Sequence, residues 1–305
     1  MHVTVVLNEK AGTLLASGNG SPFSLDALRS AFSEAGIIAR IEVCPPGAVQ
    51  ERIRQVVAAR NGTDAIVVGG GDGTLSCAAG ILIDTAMPLG VLPLGTLNHF
   101  AKDLEIPAEL DACVRIIRDG ELRAVDVAEV NGHVFINNCS VGAYPAAVRR
   151  RDALRRMHGF GKWRAMALAS LEVLRNLRRL HVHIDANGEP LIRRTPFVLV
   201  SNNRYSGQIF SRQMRPRLDE GQLCTYVTRA HRIAPLLRLA WRALTAGLDR
   251  VDELEILAGE HVTLTLREIA PAVATDGEVF NVTSPLLFRT RARALRVIAP
   301  PPKKP

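Results

Sequence analysis

Through the first 124 residues, short runs of apolar, β-branched residues alternate with stretches whose apolar positions recur at helical spacing. Val3–Leu7, Ile37–Val43, Ala65–Val68 and Pro88–Leu94 read as strands. Ser24–Ala35, Ala48–Arg60 (apolar at Ile53, Val56 and Val57) and Leu75–Ile83 read as helices. This alternation predicts parallel pairing through right-handed crossovers, with ligands held beyond the carboxyl ends of the strands. From about Val125 the rhythm changes to paired strands. Val125–Val130 and His133–Cys139 flank Asn131-Gly132, a two-residue hairpin signal, and Asn187-Gly188 marks another turn. Leu180–Ala186, Pro196–Ser201, Leu223–Thr228, Glu253–Leu257 and Val262–Leu266 complete a mostly β second half. The expected division is residues 1–124 and 125–289, with 290–305 returning to the first part.

One helical stretch interrupts the β half. Residues 144–180 carry Arg149, Arg150, Arg151, Arg155, Arg156, Lys162, Arg164, Arg175, Arg178 and Arg179 together with Trp163, Leu168, Leu171 and Leu174. A solvated basic face over a packed apolar one accounts for this pattern; so does a segment lying on an anionic membrane surface, where Trp suits the headgroup level.

The third predicted strand runs into Gly69-Gly70-Gly71-Asp72-Gly73-Thr74, then into the helical Leu75-Ser76-Cys77-Ala78-Ala79. Glycines let a loop turn tightly or approach a ligand, and amides at a helix N-terminus attract phosphate. A Walker A loop would need a Lys after the glycines, and the dinucleotide fingerprint G-x-G-x-x-G fails at Thr74 and at Ser76. A sharp turn alone explains two of the glycines but not the acid and hydroxyl among four. At the carboxyl end of the fourth strand, Gly95-Thr96-Leu97-Asn98-His99-Phe100 forms a second loop. There Thr96 can donate to a phosphate oxygen and Asn98 can fix the loop backbone or a substrate group.

Composition narrows the partners. The chain is 47% hydrophobic and 22% charged, an ordinary globular balance, and its net charge of +8 favours an anionic partner. Aromatic residues are 5% of the chain and no nucleic-acid motif is present, so nucleic acid is not the expected partner. The five cysteines are scattered without C-x-x-C spacing, which suits a reducing cytoplasm better than a disulfide framework or zinc site. Met1–Leu7 reads as a strand, so no signal peptide is expected, and no run of about 18 apolar residues supports a membrane-spanning helix. The chain is expected to be cytoplasmic and peripherally associated with membrane.

Gly70-Gly71-Asp72-Gly73-Thr74 resembles the nucleotide loop of diacylglycerol kinases, sphingosine kinases and NAD kinases. Leu94-Gly95-Thr96-Leu97-Asn98 resembles the second loop of the lipid kinase branch, and Thr275-Asp276-Gly277-Glu278 its late acidic motif. Three motifs in the family's order span residues 70 to 278. The resemblance implies an N-terminal Rossmann-like α/β domain and a C-terminal β-sandwich domain, with Ala294–Ile298 returning to the first. It further implies ATP and Mg²⁺ as cofactors and a lipid hydroxyl as acceptor, of diacylglycerol, sphingoid base or ceramide type, at an anionic membrane surface. A homodimer is compatible with it. ATP phosphates fall to Asn8, Gly12, Gly70, Gly71, Asp72, Gly73, Thr74, Leu75, Ser76, Thr96 and Asn98. Glu278 becomes the proton acceptor, with Asp276 for Mg²⁺ or hydroxyl positioning and Asp72 acting on phosphate or Mg²⁺. Taken alone, Asp276-Gly277 is an ordinary hairpin turn.

The chain departs from the family at three places. Glu9 stands where a proline is usual, His99 where an Asp is common, and Glu220 where an Asp before glycine helps bind a structural divalent ion. An acidic turn before a strand accounts for Glu220 equally well. A soluble-substrate kinase of the NAD kinase type, or a lipid-binding protein without catalysis, are the alternative readings.

Overall fold

In the computed structural model the described residues are 1–11, 23–59, 62–206, 215–228 and 254–301. Gly12, Met214 and the tail from residue 302 lie outside them. The chain divides into two compact units, Met1–Val127 with Arg212–Asp219 and Arg291–Pro305, and Ala128–Ser211 with Glu220–Thr290.

The first unit is built on parallel strands β1 (His2–Asn8), β2 (Ile38–Cys44), β3 (Ala65–Gly70) and β4 (Leu89–Pro93), in the order β2-β1-β3-β4. β3 and β4 are buried along their whole length, and β1 over five consecutive residues. Burial on both faces explains why these strands are continuous apolar runs rather than alternating ones. Helices α1 (Leu25–Glu34), α2 (Pro46–Ala59), α3 (Asp72–Leu82), α4 (His99–Asp103) and α5 (Leu110–Asp119) connect and cover them. Ser24 caps α1 by accepting the Ala27 amide at 3.2 Å, and Leu28, Ala31 and Phe32 form its buried stripe. Burying the Leu28 and Phe32 side chains stabilises the fold by roughly 1.5–3 kcal/mol each. The chain moves from β1 outward to β2, then returns to the other side of β1 for β3. That reversal is a topological switch point, where a doubly wound sheet leaves a crevice at the carboxyl ends of its strands.

In the second unit a six-stranded sheet runs β12-β11-β10-β7-β14-β15, made of β7 (Asn138–Gly142), β10 (Phe197–Asn202), β11 (Leu223–Thr228), β12 (Leu254–Gly259), β14 (Ala272–Thr275) and β15 (Glu278–Asn281). All of its pairings are antiparallel. The second layer carries β8 (Leu180–Ala186), β9 (Glu189–Thr195) and β13 (His261–Leu266), beside the first residues of β16 (Leu286–Ala299). β5 (Glu121–Val130) and β6 (His133–Phe135) turn at Asn131-Gly132, both at positive φ, as the hairpin signal requires. Val141, Val200, Leu223, Val262, Leu264 and Phe288 belong to one core. The fold is therefore an α/β domain followed by a β-sandwich-like domain.

Two strands pass between units along the chain. β5 ends in the second, and β16 ends in the first, where Val297 pairs with Leu89 in parallel register. The single helical stretch expected over 144–180 is two helices, α6 (Ala143–His158) and α7 (Lys162–Arg175). Gly159 at φ 65 ends α6 in the left-handed conformation that a C-terminal glycine supplies without a Cβ penalty. All five cysteines are free thiols.

Candidate active site

The carboxyl ends of β1, β3 and β4 bring the sequence-predicted loops of the first unit together. β3 delivers Gly70 and Gly71 into α3, whose N-cap position is Gly71, so no side-chain cap occupies its first amides. Those amides form an anion-binding helix terminus. β4 delivers Gly95, and the Leu94 amide donates to the Gly70 carbonyl at 3.0 Å, tying the two loops. A Cβ on Gly95 would collide with the Gly71 Cα and lie 2.6 Å from the Asn98 Oδ1. The loops touch backbone to backbone, and only glycine permits it.

Three polar side chains hold this contact. The Asp72 carboxylate accepts the amides of His99 and Phe100 at 3.1 and 3.0 Å. Asn98, left-handed at φ 50, accepts the Gly95 amide at 2.9 Å and donates to the Pro93 and Gly95 carbonyls at 3.0 Å each. Asn8, at the end of β1, donates to the Thr74 hydroxyl at 2.9 Å and accepts the Lys10 amide at 3.0 Å. Asp72, expected to act on phosphate or Mg²⁺, thus also positions the second loop through both of its oxygens. The Leu75 and Ser76 side chains are buried, and the Leu75 amide donates to the Gly71 carbonyl inside the helix. Gly73 and Thr74 remain accessible at the first turn, and Thr96 is exposed on the second loop. These residues fit a phosphate chain, since α3 offers uncapped amides, Thr96 an exposed hydroxyl, and Asp72 a negative charge beside them for a bridging cation.

α4 is fixed at its other end by a pair the sequence reading missed. Asp103 is buried and accepts the Arg215 Nε at 2.8 Å and the Arg215 amide at 3.1 Å, while the Arg215 side chain is fully enclosed. Among ten basic residues of the helical stretch and others elsewhere, nothing in composition distinguishes this arginine. His99 sits between these acids, and burial lowers its imidazole pKa even though Asp72 and Asp103 pull it upward. Asp126 was also missed. It is buried in β5 and accepts the Arg293 amide at 2.8 Å, pinning β16 in the first unit. Its signal was an acid, Asp126, set with Glu129 in the otherwise apolar run Val125–Val130.

In the second unit, Asp276 and Gly277 occupy the β14–β15 turn with φ 47 and 91. Positive φ at both central positions is the type I′ hairpin geometry. The Asp276 carboxylate accepts the amides of Ile136, Asn137 and Asn138 at 2.8, 3.0 and 3.3 Å. Two residues on, Glu278 is exposed, yet protein around its carboxyl desolvates it enough to raise its pKa above the ordinary 4.5. Among the described residues the Glu278 carboxylate makes no hydrogen bond or ion pair, while its backbone pairs with Thr275. Beside this turn, Asn138 donates to the Tyr205 hydroxyl at 2.9 Å, the Tyr205 amide to the Tyr226 hydroxyl at 2.9 Å, and Asn202 to the Ile136 carbonyl at 3.0 Å. Sequence reasoning passed over these Asn residues, although Asn-Asn pairs at strand ends, 137–138 and 202–203, were a usable signal.

Glu220 accepts from the Gln222 side chain at 3.0 Å, ahead of Gly221 at φ 67. Among the described residues no three His, Cys, Asp or Glu side chains gather as a metal site. Also in the second unit, a cavity of about 600 Å³ opens between α6, α7 and β14. Its lining is largely apolar, with Val141, Val173, Leu177 and Leu180, and Arg149 and Arg178 are part of it.

Residues 2–130 match the family model of the diacylglycerol kinase catalytic domain, and residues 137–299 that of the YegS C-terminal NAD kinase beta sandwich-like domain. Protein sll0036 of Synechocystis sp. is 24% identical over 244 residues, covering 78% of this chain and 55% of that protein. The "Probable lipid kinase YegS-like" protein of Pectobacterium atrosepticum is 27% identical over 277 residues, covering 85% of this chain and 89% of that one. The diacylglycerol kinase of Bacillus subtilis is 30% identical over 190 residues, 59% of this chain and 60% of that one. The fold superposes on a solved diacylglycerol kinase of Bacillus anthracis str. Sterne with a TM-score of 0.67 and 20% identity, covering 98% and 97% of the two chains.

Proposed function

Because this chain belongs to the lipid kinase family that joins a diacylglycerol kinase catalytic domain to a YegS-type C-terminal domain, we propose that it transfers the terminal phosphoryl group of ATP to a hydroxyl of a membrane lipid. The acceptor is of diacylglycerol, sphingoid base or ceramide type. The observation that carries the reading is the Asp72 clip, which holds the second glycine loop against the first and leaves the opening amides of α3 uncapped.

Phosphoryl transfer asks a protein mainly for positioning and charge neutralisation. The amides of Gly73 and Thr74 and the Thr96 hydroxyl bind phosphate oxygens, while Asn8 and Asn98 keep the loops in shape. Mg²⁺ bound with ATP would neutralise phosphate charge, and the motif carboxylates that would hold it are Asp72 in the first unit and Asp276 in the second. Glu278 accepts or orients the hydroxyl proton. Its raised pKa suits this role, because a base works best when its pKa lies nearer the operating pH. The cavity of the second unit, where Val141, Val173, Leu177 and Leu180 lie beside charged residues such as Arg149 and Arg178, suits an amphipathic acceptor such as a lipid. No described helix is long and apolar enough to cross a membrane, so contact with the bilayer is proposed to be peripheral.

The test is incubation of the purified chain with radiolabelled ATP, Mg²⁺ and a total lipid extract, followed by separation of labelled lipids. A labelled lipid phosphate that vanishes in Glu278→Gln is expected. Label appearing only on NAD would replace this reading by the soluble-substrate one.

A further inference from the structure

α7 carries its apolar residues the wrong way round for a helix of a soluble protein. Its buried positions are the small Ala165 and Ala169, packed with Leu154 and Phe160. Its large apolar residues face outward, with Trp163 65%, Leu168 42% and Leu171 47% exposed, and Met157 in the last turn of α6 is 70% exposed. The spacing 163, 167/168, 171 and 175 places Trp163, Ala167, Leu168, Leu171 and Arg175 on one face. A helix presenting such a face to water has its partner elsewhere.

Charge identifies that partner. From Ala143 to Leu180 there are ten Lys and Arg against two acids, so this segment alone carries a net charge equal to the +8 of the whole chain. Both acids are already paired, Glu172 with Arg150 at 2.6 Å and Asp152 with Arg151 at 2.8 Å. Arg155, Arg156, Arg164 and Arg175 are exposed around the apolar face. Outward Trp and Leu ringed by arginine fit a layer whose surface is anionic and whose interior is apolar.

We infer that the α6–α7 hairpin docks on an anionic bilayer by inserting Met157, Trp163, Leu168 and Leu171 between headgroups, with the surrounding arginines at the phosphate level. The surface named is where the acceptor of the proposed kinase resides, so the inference rests on that reading, but its test needs no turnover. Docking has two separable components: the arginine part weakens with salt, screened over about 8 Å at physiological ionic strength, and the inserted part does not.

The experiment mixes the intact chain with vesicles of phosphatidylcholine alone or with half phosphatidylglycerol. Fluorescence is read as the difference between wild type and Trp163→Phe. Blue-shifted Trp163 emission, quenched by brominated acyl chains, is expected with the anionic vesicles. Replacing Trp163, Leu168 and Leu171 together by Ser should lower vesicle partitioning at least about tenfold at physiological salt, while activity on detergent-dispersed lipid stays within about twofold. Unquenched Trp163, or undiminished partitioning of the triple variant, overturns the inference. So does a variant that turns a dimer into a monomer without altering vesicle binding, which would make the face a contact between copies. Quenched Trp163 in a chain that phosphorylates no lipid would instead retire the kinase reading and leave the docking surface standing.

Discussion

The two Asp-Gly pairs of this chain, Asp72-Gly73 in the first unit and Asp276-Gly277 in the second, are the same device in different settings. Each aspartate gives its carboxylate to consecutive backbone amides of a loop distant in sequence, Asp72 to His99 and Phe100, Asp276 to Ile136, Asn137 and Asn138. One sits in the first turn of a helix, the other in a left-handed hairpin turn. A carboxylate accepting several amides is a strong, directional brace worth roughly 1.5–3 kcal/mol per charged hydrogen bond. Glu278 stands apart from both. The lesson is that the acids which make a motif recognisable need not be those that move a proton, and the carboxyl with uncommitted oxygens is the better base.

The largest effect that would break this contrast is catalytic. Glu278→Gln should lower kcat by about 10²–10⁴-fold with ATP affinity nearly unchanged and no loss of Tm. Full kcat in a folded Glu278→Gln protein would return the base to one of the aspartates. Asp276→Asn comes next, because an amide cannot accept three N–H groups as the carboxylate does. It should cost roughly 1.5–3 kcal/mol of stability, read as a lower denaturant midpoint, with kcat falling alongside. Equal kcat loss without any shift in midpoint would leave Asp276 its metal or substrate role alone and remove the brace.

Asp72→Asn should act more gently and on a different parameter. It leaves one of the two amides facing an NH₂ group, loosening the second loop, so KM for ATP should rise about tenfold while kcat changes less. A thousandfold kcat loss at unchanged KM and unchanged stability would show that Asp72 acts on Mg²⁺ or phosphate rather than through the loop. The smallest effect lies in pH. Since the folded pKa of Glu278 is raised above 4.5, the stability that its protonated form contributes is complete below that value and fades as pH climbs through the folded value. Glu278→Gln should therefore gain stability relative to wild type across that window, where wild-type kcat should rise as the base ionises. A difference that stays flat in chemical denaturation from pH 4 to 8 would show that desolvation is not acting on this carboxyl.

Much of this was legible in local pattern. The parallel strands announced themselves because burial on both faces demands unbroken apolar runs, and Asn131-Gly132 and Asn187-Gly188 turn where positive φ is needed. The glycine loops were legible because close backbone approach tolerates no Cβ, as at Gly71 and Gly95. What stayed hidden was the direction in which polar side chains are spent. Asp72 reads alike whether it faces a cation or two amides, and Arg215 looks like any of the chain's exposed arginines until Asp103 is found beside it. β9, with only alternate residues partly covered, and β15, four residues long, carry too little periodicity to be read as strands.

The return of β16 to pair with β4 also sets the order in which the molecule can be made. Leu89 leaves the ribosome about two hundred residues before its partner Val297, and Asp103 likewise waits for Arg215. During that delay the β4 edge offers unpaired backbone to any passing strand, a liability that chaperones guard against. A fragment ending at residue 127 would carry the whole glycine-loop motif yet lack the strand and the buried cation that finish its scaffold. The second unit is therefore threaded through the first in two segments, and exchanging it for another requires four cuts within one fold rather than one cut between neighbours.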